Sequence, residues 1–375
     1  MVVQRGGHDL KSNTFGKIRV EIVYGFQHAP LAYLSERARM AHLTGTNALR
    51  LQLRETMAPY LPENIELTFS GLCFDRLHIG GRSEGVRKLY FRAWAKTRKP
   101  AVFIILKSVA YHLSAGELAL LRDKAIAVGL DHMDSKAARL DLSLYDFHIS
   151  ASEAGRRGLE AMLAEEGAPG SRQPFVAPFY LRHNQSLDGI EFRDPGRFSP
   201  VYLGAAANAA IPPSIADEIT VHEVLTSADM ARAVRALGGH NFHFAVRPNP
   251  EASLRRRYAP FTKGFTAAAC RSNILVNRQV DDAVDFLGPD YPYLVDSNAP
   301  EDVTAGFRKA AEEFGGPEWN RGLEIMRSIR DRVSGPAQAQ QFVDIVTRAV
   351  QGDALYLPTA ARSADKSMIR DRAPV

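Results

Sequence analysis

The stretch from Tyr258 to Val295, YAPFTKGFTAAACRSNILVNRQVDDAVDFLGPDYPYLV, decides the fold of this chain. Lys263 and Gly264 open a helix of small residues, which continues to Cys270. An apolar run of strand length follows, Ser272 to Val276. The first backbone N–H groups of a helix have no partner within the helix, and the helix dipole makes that end positive. A lysine and a glycine at this position therefore predict a site for an anion, at the end of a helix whose alanines allow close packing on a sheet.

Bulk composition is ordinary for a soluble globular protein. The chain has 375 residues, of which 45% are hydrophobic and 24% charged, and this predicts two or three domains with ample core. A net charge of +5 suits phosphate-bearing ligands, but the basic residues are too evenly spread to predict nucleic acid binding. Two cysteines far apart in the sequence, Cys73 and Cys270, argue against a disulfide framework and a cysteine-based zinc site.

The N-terminal residues lack the apolar core of a signal peptide, and no run reaches the roughly 18 apolar residues that a membrane span needs. We therefore expect a cytoplasmic protein. A peripheral contact with the inner face of the membrane stays open through Arg255, Arg256 and Arg257, whose simplest interpretation is a solvated surface.

Strand patterns alternate with helical patterns in both halves of the chain, which predicts an α/β fold with two parallel sheets covered by helices. The continuous apolar run AVFIILK, Ala101 to Lys107, is typical of a buried parallel strand. Neither a G-x-G-x-x-G motif nor a P-loop motif occurs. Beyond Tyr293 the chain is predicted to be wholly helical until its polar end.

A polar stretch with Gly and Pro, residues 184–198, predicts the boundary between two domains. We expect four segments along the chain: a flexible N-terminus over residues 1–16, a first domain over 17–190, a second domain with terminal helices over 196–355, and a disordered tail over 360–375.

Ligands of such folds bind beyond the carboxyl ends of the strands, so polar residues at those ends are the candidates. In the second half they are Gly204, Arg247, Asn249, Lys263 with Gly264, and Asn277. A guanidinium directly after the run FHFAV can clamp a diphosphate, although a salt bridge at the strand end would also explain Arg247. Asp281 and Asp282 can accept hydrogen bonds from a ribose, but capping of the helix that they begin is the favoured explanation.

In the first half the candidates are Gly25, Lys107, His183 and the group Asp131, His132 and Asp134. An aspartate or histidine of that group, at the edge of a cleft, can act as general base on a hydroxyl. The group is too small and too closely spaced for a preferred metal site. Lys107 and His183 have surface roles as the competing interpretation.

The order of these features resembles the GT-B glycosyltransferases, in which two Rossmann-like domains face each other and a nucleotide sugar is the donor. The segments that carry the resemblance are YLGAAAN, VRPNP, PFTKGFTAAACRSNILVN and DDAVDFLGPDYPYLV, and more loosely KIRVEIVY and VGLDHMD. It implies that Arg247 and Lys263 hold the donor diphosphate, that the base comes from the first domain, and that no bound metal or other cofactor is needed.

The resemblance implies transfer of a sugar from a nucleotide-diphosphate sugar to the hydroxyl of a glycan or lipid-linked acceptor. The chain departs from the retaining members, because two glutamates seven residues apart are missing between Arg247 and Leu287. Two alternatives therefore stay open: a catalytically silent GT-B-like module that binds a nucleotide sugar or a glycan, and a nucleotide-sugar epimerase.

Overall fold

The computed structural model describes residues 16–26, 49–73, 84–133, 140–166, 172–192, 195–224, 227–248 and 259–352, together with Ser35, Ala137, Leu355 and Tyr356. Apart from Gly16, the predicted flexible N-terminus lies outside the described residues, as does the predicted tail over 360–375.

The strands are, in chain order, β1 (Ile18–Phe26), β2 (Ile65–Cys73), β3 (Ala101–Leu106), β4 (Ala125–Asp131), β5 (Phe147–Ser150), β6 (Arg172–Gln173), β7 (Phe175–Pro178), β8 (Pro200–Leu203), β9 (Thr220–His222), β10 (Phe242–Phe244), β11 (Asn273–Asn277), β12 (Leu294–Val295) and β13 (Leu355–Tyr356). The α-helices are α1 (Leu53–Thr56), α2 (Glu84–Lys96), α3 (Lys107–Ala110), α4 (Ala115–Arg122), α5 (Glu153–Glu166), α6 (Ser227–Ala236), α7 (Thr262–Ala269), α8 (Ala283–Leu287), α9 (Pro300–Glu312), α10 (Pro317–Arg332) and α11 (Gly335–Gln351).

The first domain is built on a six-stranded sheet of order β2-β1-β3-β4-β5-β7, in which every pairing is parallel. Every residue of β3 is buried, because apolar clusters cover both faces of the sheet. Helix α4 begins at a capping box, in which the Ser114 hydroxyl accepts from the Glu117 N–H and the Glu117 carboxylate accepts from the Ser114 N–H.

The second domain has a five-stranded sheet of order β12-β11-β10-β8-β9, again parallel throughout. Helix α7 packs on it closely: Ala267 and Ala268 are buried, and a Cβ at Gly264 would overlap the ring of Phe261. Ala267 and Ala268 thus lie in the core that the helix shares with β11, as predicted, whereas Gly264 leaves room for the ring of Phe261, the residue before the helix. Two parallel sheets covered by helices confirm the α/β prediction.

The last long helix, α11, belongs by sequence to the segment assigned to the second domain, but it packs on the first. Phe342, Ile345 and Val346 are buried in the first-domain core, and the Phe342 ring lies 5.7 Å from that of Phe179. Among the residues that the structure describes, no helix has the length and apolar character needed to cross a bilayer.

Candidate functional site

Lys263 lies in the first turn of α7, at the edge of the sheet where β8, β10 and β11 end. Its ammonium is 3.9 Å from the centroid of the Tyr202 ring, and Nζ is buried without a hydrogen-bond partner among the described residues. Burial, with help from the neighbouring charge of Arg247, lowers the pKa of Lys263 to about 7. A buried amine without an acceptor is costly, so an anionic ligand here would relieve the cost.

Arg247 lies three residues beyond the end of β10, and Asn277 is the last residue of the neighbouring strand β11. The Asn277 side chain is fully buried, and its Oδ1 accepts from the backbone N–H of Arg247 at 3.1 Å. Its Nδ2 has no partner within the described part of the chain. The side chains of Lys263, Arg247 and Asn277 therefore offer hydrogen-bond donors on the same edge of the sheet.

Gly204 closes β8 with a φ of +139°, a conformation that disfavours any side chain. Tyr202 stabilises this turn, because its hydroxyl donates to the Ala205 carbonyl at 2.7 Å. The ammonium of Lys263 lies over the ring of the same tyrosine. Our sequence prediction missed Tyr202. The sequence did offer one indication, because Tyr202 precedes Gly204 by two residues. Residues two apart in a strand lie on the same face, so Tyr202 is expected on the face where Gly204 turns the chain.

A cleft open to solvent lies beside Lys263 and Arg247, and Tyr202, Gly204 and Asn277 are not among the residues that line it. Its lining is formed by Ala245, Arg247, Ala259, Pro260, Phe261, Thr262, Lys263, Val276, Gln279, Val280 and Asp281. The Asp281 carboxylate accepts from the Ala259 N–H at 3.0 Å, and burial raises the pKa of this aspartate. The cleft thus joins the cations Lys263 and Arg247, the Gln279 amide and the Asp281 carboxylate, groups that can bind a diphosphate and a hydroxylated sugar or ribose.

Asp282 does not contact the cleft that Asp281 lines. Its carboxylate accepts from the backbone N–H groups of Glu153 and Ala154 in the first domain, both at 3.0 Å. Gly264 is likewise occupied with packing against Phe261, inside α7. Asn249, the remaining second-domain candidate, lies outside the described residues.

In the first domain, Asp131 ends β4 and forms a buried ion pair with Arg50. Oδ2 lies 2.6 Å from Arg50 Nε, and both side chains are 1% exposed. Arg50 also donates to the Phe179 carbonyl at 2.8 Å. Burial raises the pKa of Asp131, and the charge of Arg50 opposes this rise. The carboxylate is therefore already held by an internal cation.

His132 follows Asp131 and pairs with a second buried histidine. His132 Nε2 lies 3.0 Å from His148 Nδ1, and His148 Nε2 lies 3.1 Å from the Leu142 carbonyl. A carbonyl accepts only, so His148 donates from Nε2 and accepts at Nδ1, which leaves His132 donating from Nε2 with Nδ1 unprotonated. Burial lowers the pKa of both histidines, that of His148 to about 4. His132 is thus a neutral imidazole, the form that can take up a proton.

The other first-domain candidates are divided. Lys107 begins α3 directly after β3, and its charge reaches Asp131 and lowers that pKa. Gly25 lies in β1 nearby, where its N–H donates to Ser108 Oγ at 3.0 Å. His183 is apart from them, with Nε2 2.8 Å from the Asp188 carboxylate. Asp134 lies outside the described residues, and within the described part no group of three or more metal-binding side chains occurs.

No family model and no curated protein sequence matches this chain. Solved structures match it over most of its length. An α,α-trehalose 6-phosphate synthase from Burkholderia multivorans is 11% identical with a TM-score of 0.56, and the match covers 90% of this chain and 99% of that one. A trehalose-6-phosphate structure from E. coli, bound with UDP-2-fluoro glucose, is 9% identical with a TM-score of 0.55, covering 88% and 99%.

A third structure is an α-glucosyltransferase in complex with UDP-glucose and DNA containing an abasic site. It is 11% identical with a TM-score of 0.55, and the match covers 88% of this chain and all of that one. At such identities the likeness establishes the fold. The chain therefore has the GT-B fold, with two Rossmann-like domains and a helical C-terminal extension, as the sequence resemblance predicted.

Proposed function

We propose that this chain is a glycosyltransferase, which moves a sugar from a nucleotide-diphosphate sugar to the hydroxyl of a glycan or lipid-linked acceptor. The donor diphosphate binds in the second-domain cleft between Lys263, Arg247 and the backbone turn at Gly204. The acceptor approaches from the first domain. The cytoplasm, with a peripheral contact to the inner membrane face, is the proposed location.

The unpartnered ammonium of Lys263 is the observation that carries this proposal. Its Nζ is buried, lies on an aromatic ring instead of an acceptor, and has a second cation, Arg247, as its neighbour. A buried ammonium without an acceptor contributes no stability, and the charge of a neighbouring cation adds repulsion. Bound phosphate oxygens would satisfy both, and charge-assisted hydrogen bonds to them are stronger than neutral ones.

This arrangement would lower the barrier to transfer. The acceptor oxygen forms a bond to the anomeric carbon, the bond from that carbon to the diphosphate breaks, and negative charge grows on the departing phosphate. Fixed cations aimed at that charge stabilise the transition state without reorganisation. Lys263 and Arg247 supply this stabilisation themselves, so we propose that the reaction needs no divalent metal, which transfer in the presence of a chelator would test.

The proton of the acceptor hydroxyl must pass to a base. Asp131, His132 and Asp134 are the candidates, and the contacts favour His132. Its imidazole is neutral with an unprotonated Nδ1, whereas the carboxylate of Asp131 is held by Arg50. A neutral imidazole can accept a proton, and burial lowers the pKa of this one, which weakens it as a base.

UDP is the first nucleotide to test, because two of the similar structures hold UDP sugars. The experiment is a thermal-shift screen of wild type against UDP, GDP, CMP, TDP and ADP, repeated with Lys263→Ala. A ligand that binds only the folded state raises Tm according to the ratio of its concentration to Kd. We expect one diphosphate to stabilise the wild type, and Lys263→Ala to weaken its binding by about 10- to 100-fold, the equivalent of one charge-assisted hydrogen bond.

Lys309→Ala is the matched control, since that lysine donates to the Pro292 carbonyl in the same domain, outside the cleft lining. It should leave the nucleotide shift intact. Equal shifts in wild type and Lys263→Ala would refute the assigned site. No shift with any nucleotide would refute the donor function, and isomerised donor sugar in place of released diphosphate would identify an epimerase.

A further inference from the structure

The start of helix α5 in the first domain is completed by a side chain from the second. Four N–H groups at this helix start have no carbonyl partner within the helix; of these, that of Ser152 bonds to the Ser150 hydroxyl at 3.3 Å and that of Gly155 to the Ser152 hydroxyl at 2.9 Å. Those of Glu153 and Ala154 bond to the two carboxylate oxygens of Asp282. The orphan donors of this helix end are thus satisfied half by its own domain and half by the other.

The backbone at Asp282 is shaped for this contact. Its φ is +65°, in the left-handed region that non-glycine residues rarely adopt, and the residue is 3% exposed. Asp281, one residue earlier, lines the cleft and bonds to the Ala259 N–H. The left-handed turn therefore sends two consecutive carboxylates in different directions, one into the donor cleft and one into the first domain.

Two further contacts surround the capped helix. Arg157, in its second turn, forms a two-pronged ion pair with Asp285 at 3.0 Å and 2.9 Å. Tyr180 of the first domain meets the Phe286 ring edge-to-face at 5.0 Å, and its hydroxyl donates to Glu153. Helix α8 of the second domain, which holds Asp285 and Phe286, thus follows Asp282 directly along the same interface.

We infer that Asp282 is a positioning residue, which fixes the first domain over the donor cleft by capping α5 from the second domain. Transfer needs the acceptor hydroxyl and the donor carbon in contact geometry, and each is held by a different domain. The contact between Asp282 and α5 keeps the acceptor-binding residues of the first domain at a fixed distance from the donor-binding residues of the second. Because Asp281 touches the cleft and its neighbour touches the first domain, the domain arrangement and the donor site share one short segment.

The test is Asp282→Asn, which keeps the size but offers one acceptor oxygen to two N–H donors. Because the role presupposes the proposed transfer reaction, nucleotide binding is measured beside it. We expect the nucleotide Kd and the donor KM to change by less than about twofold, while kcat falls by on the order of 10- to 100-fold, the effect of small misplacement of reacting groups. The matched control is Asp290→Asn, an exposed aspartate of the same domain, which should leave all three unchanged.

The domain arrangement itself is read by the distance between spin labels at Glu165 and Glu301, two exposed positions, one in each domain; both native cysteines are buried. We expect a narrow distribution in wild type and a broader one in Asp282→Asn. An unchanged distribution with unchanged kcat overturns the inference while leaving the proposed function in place. Failure of wild type to bind any nucleotide overturns the proposed function, and the label distances still test the cap.

A second pair of variants serves in case Asp282→Asn fails to fold. Arg157→Glu and Asp285→Arg each place like charges across the interface, and we expect each to broaden the distance distribution and lower kcat. The double variant reverses the pair and should restore both. Single variants without effect would show that this interface does not set the arrangement.

Discussion

Two buried cations of this molecule have opposite surroundings. Arg50, in the first domain, touches the Asp131 carboxylate and the Phe179 carbonyl and lies over the Phe179 ring. Lys263, in the second domain, has an aromatic ring and another cation as neighbours, and its Nζ has no acceptor among the described residues. The charge of Arg50 is balanced by the carboxylate of Asp131, whereas the described residues place no acceptor at Nζ of Lys263. Burial alone therefore does not distinguish the two cations, whereas the presence of a carboxylate beside only one of them does.

The largest expected change in stability comes from breaking the ion pair between Asp131 and Arg50. Asp131→Asn would leave the buried Arg50 charge uncompensated, and removing one partner of a buried pair costs about 3–5 kcal/mol. We expect the free energy of unfolding, measured by urea denaturation at pH 7, to fall by that amount. Asp296→Asn is the matched control, because its ion pair with Arg278 is exposed and should contribute below about 1 kcal/mol. Equal losses in the two variants would remove the contrast on which the comparison depends.

Gly204→Ala perturbs the turn beneath Lys263. The alanine would have to adopt φ near +139°, and its Cβ would lie 3.2 Å from the Tyr202 hydroxyl and 3.7 Å from Lys263 Nζ. Such strain costs about 1–3 kcal/mol, so we expect lower stability together with weaker nucleotide binding. In Gly116→Ala, where the new Cβ has no atom within 4 Å and the site is helical, stability should stay equal or rise. A stable Gly204→Ala variant with full nucleotide affinity would contradict a role for this turn.

The smallest expected change in stability belongs to a substitution of Lys263, and it tests most directly whether the amine lacks a partner. Lys263→Met replaces the buried amine with an apolar chain of similar length, and we expect the ligand-free protein to gain about 0.5–2 kcal/mol at pH 7 while it loses nucleotide affinity. Lys309→Met, which removes a lysine that has a carbonyl partner, should not stabilise. Destabilisation by Lys263→Met would mean that the amine is already satisfied in the free protein.

The same substitution has a signature in pH. The pKa of Lys263 is lowered from 10.5 to about 7 in the folded chain, so between these values the unfolded chain binds the extra proton. Stability contributed by this group therefore rises with pH from about 7 to 10.5. The advantage of Lys263→Met over wild type should shrink across that window, in denaturation curves measured at successive pH values.

Much of the fold followed from local patterns. The run from Ala101 to Lys107 predicted β3 because a strand covered on both faces is apolar throughout. Helix α7 followed by β11 was predicted from the alanines and from the apolar run after them. The destination of α11 was left open between the second domain and a return to the first, because an amphipathic helix specifies an apolar face but not which of two cores receives it.

The sequence predicted which residues lie at the edge of the second sheet, but it did not predict which side chains contact one another there. Lys263, Arg247 and Asn277 do meet at one sheet edge, as the carboxyl ends of neighbouring parallel strands must. Tyr202 was missed, because its place two residues before Gly204 indicates only its face of the strand, and an aromatic residue on that face can equally fill a core.

Sequence by itself determined the alternation of strands and helices, the parallel sheets and the polar residues at the strand ends, because side-chain pattern and backbone preference act over a few residues. Only the tertiary structure decided which of those residues have partners. Asp281 and Asp282 are neighbours with the same chemistry, yet one lines the cleft and the other caps a helix of the opposite domain. The left-handed backbone at Asp282 and the position of the first domain separate them, and electrostatic satisfaction is a property of such long-range contacts.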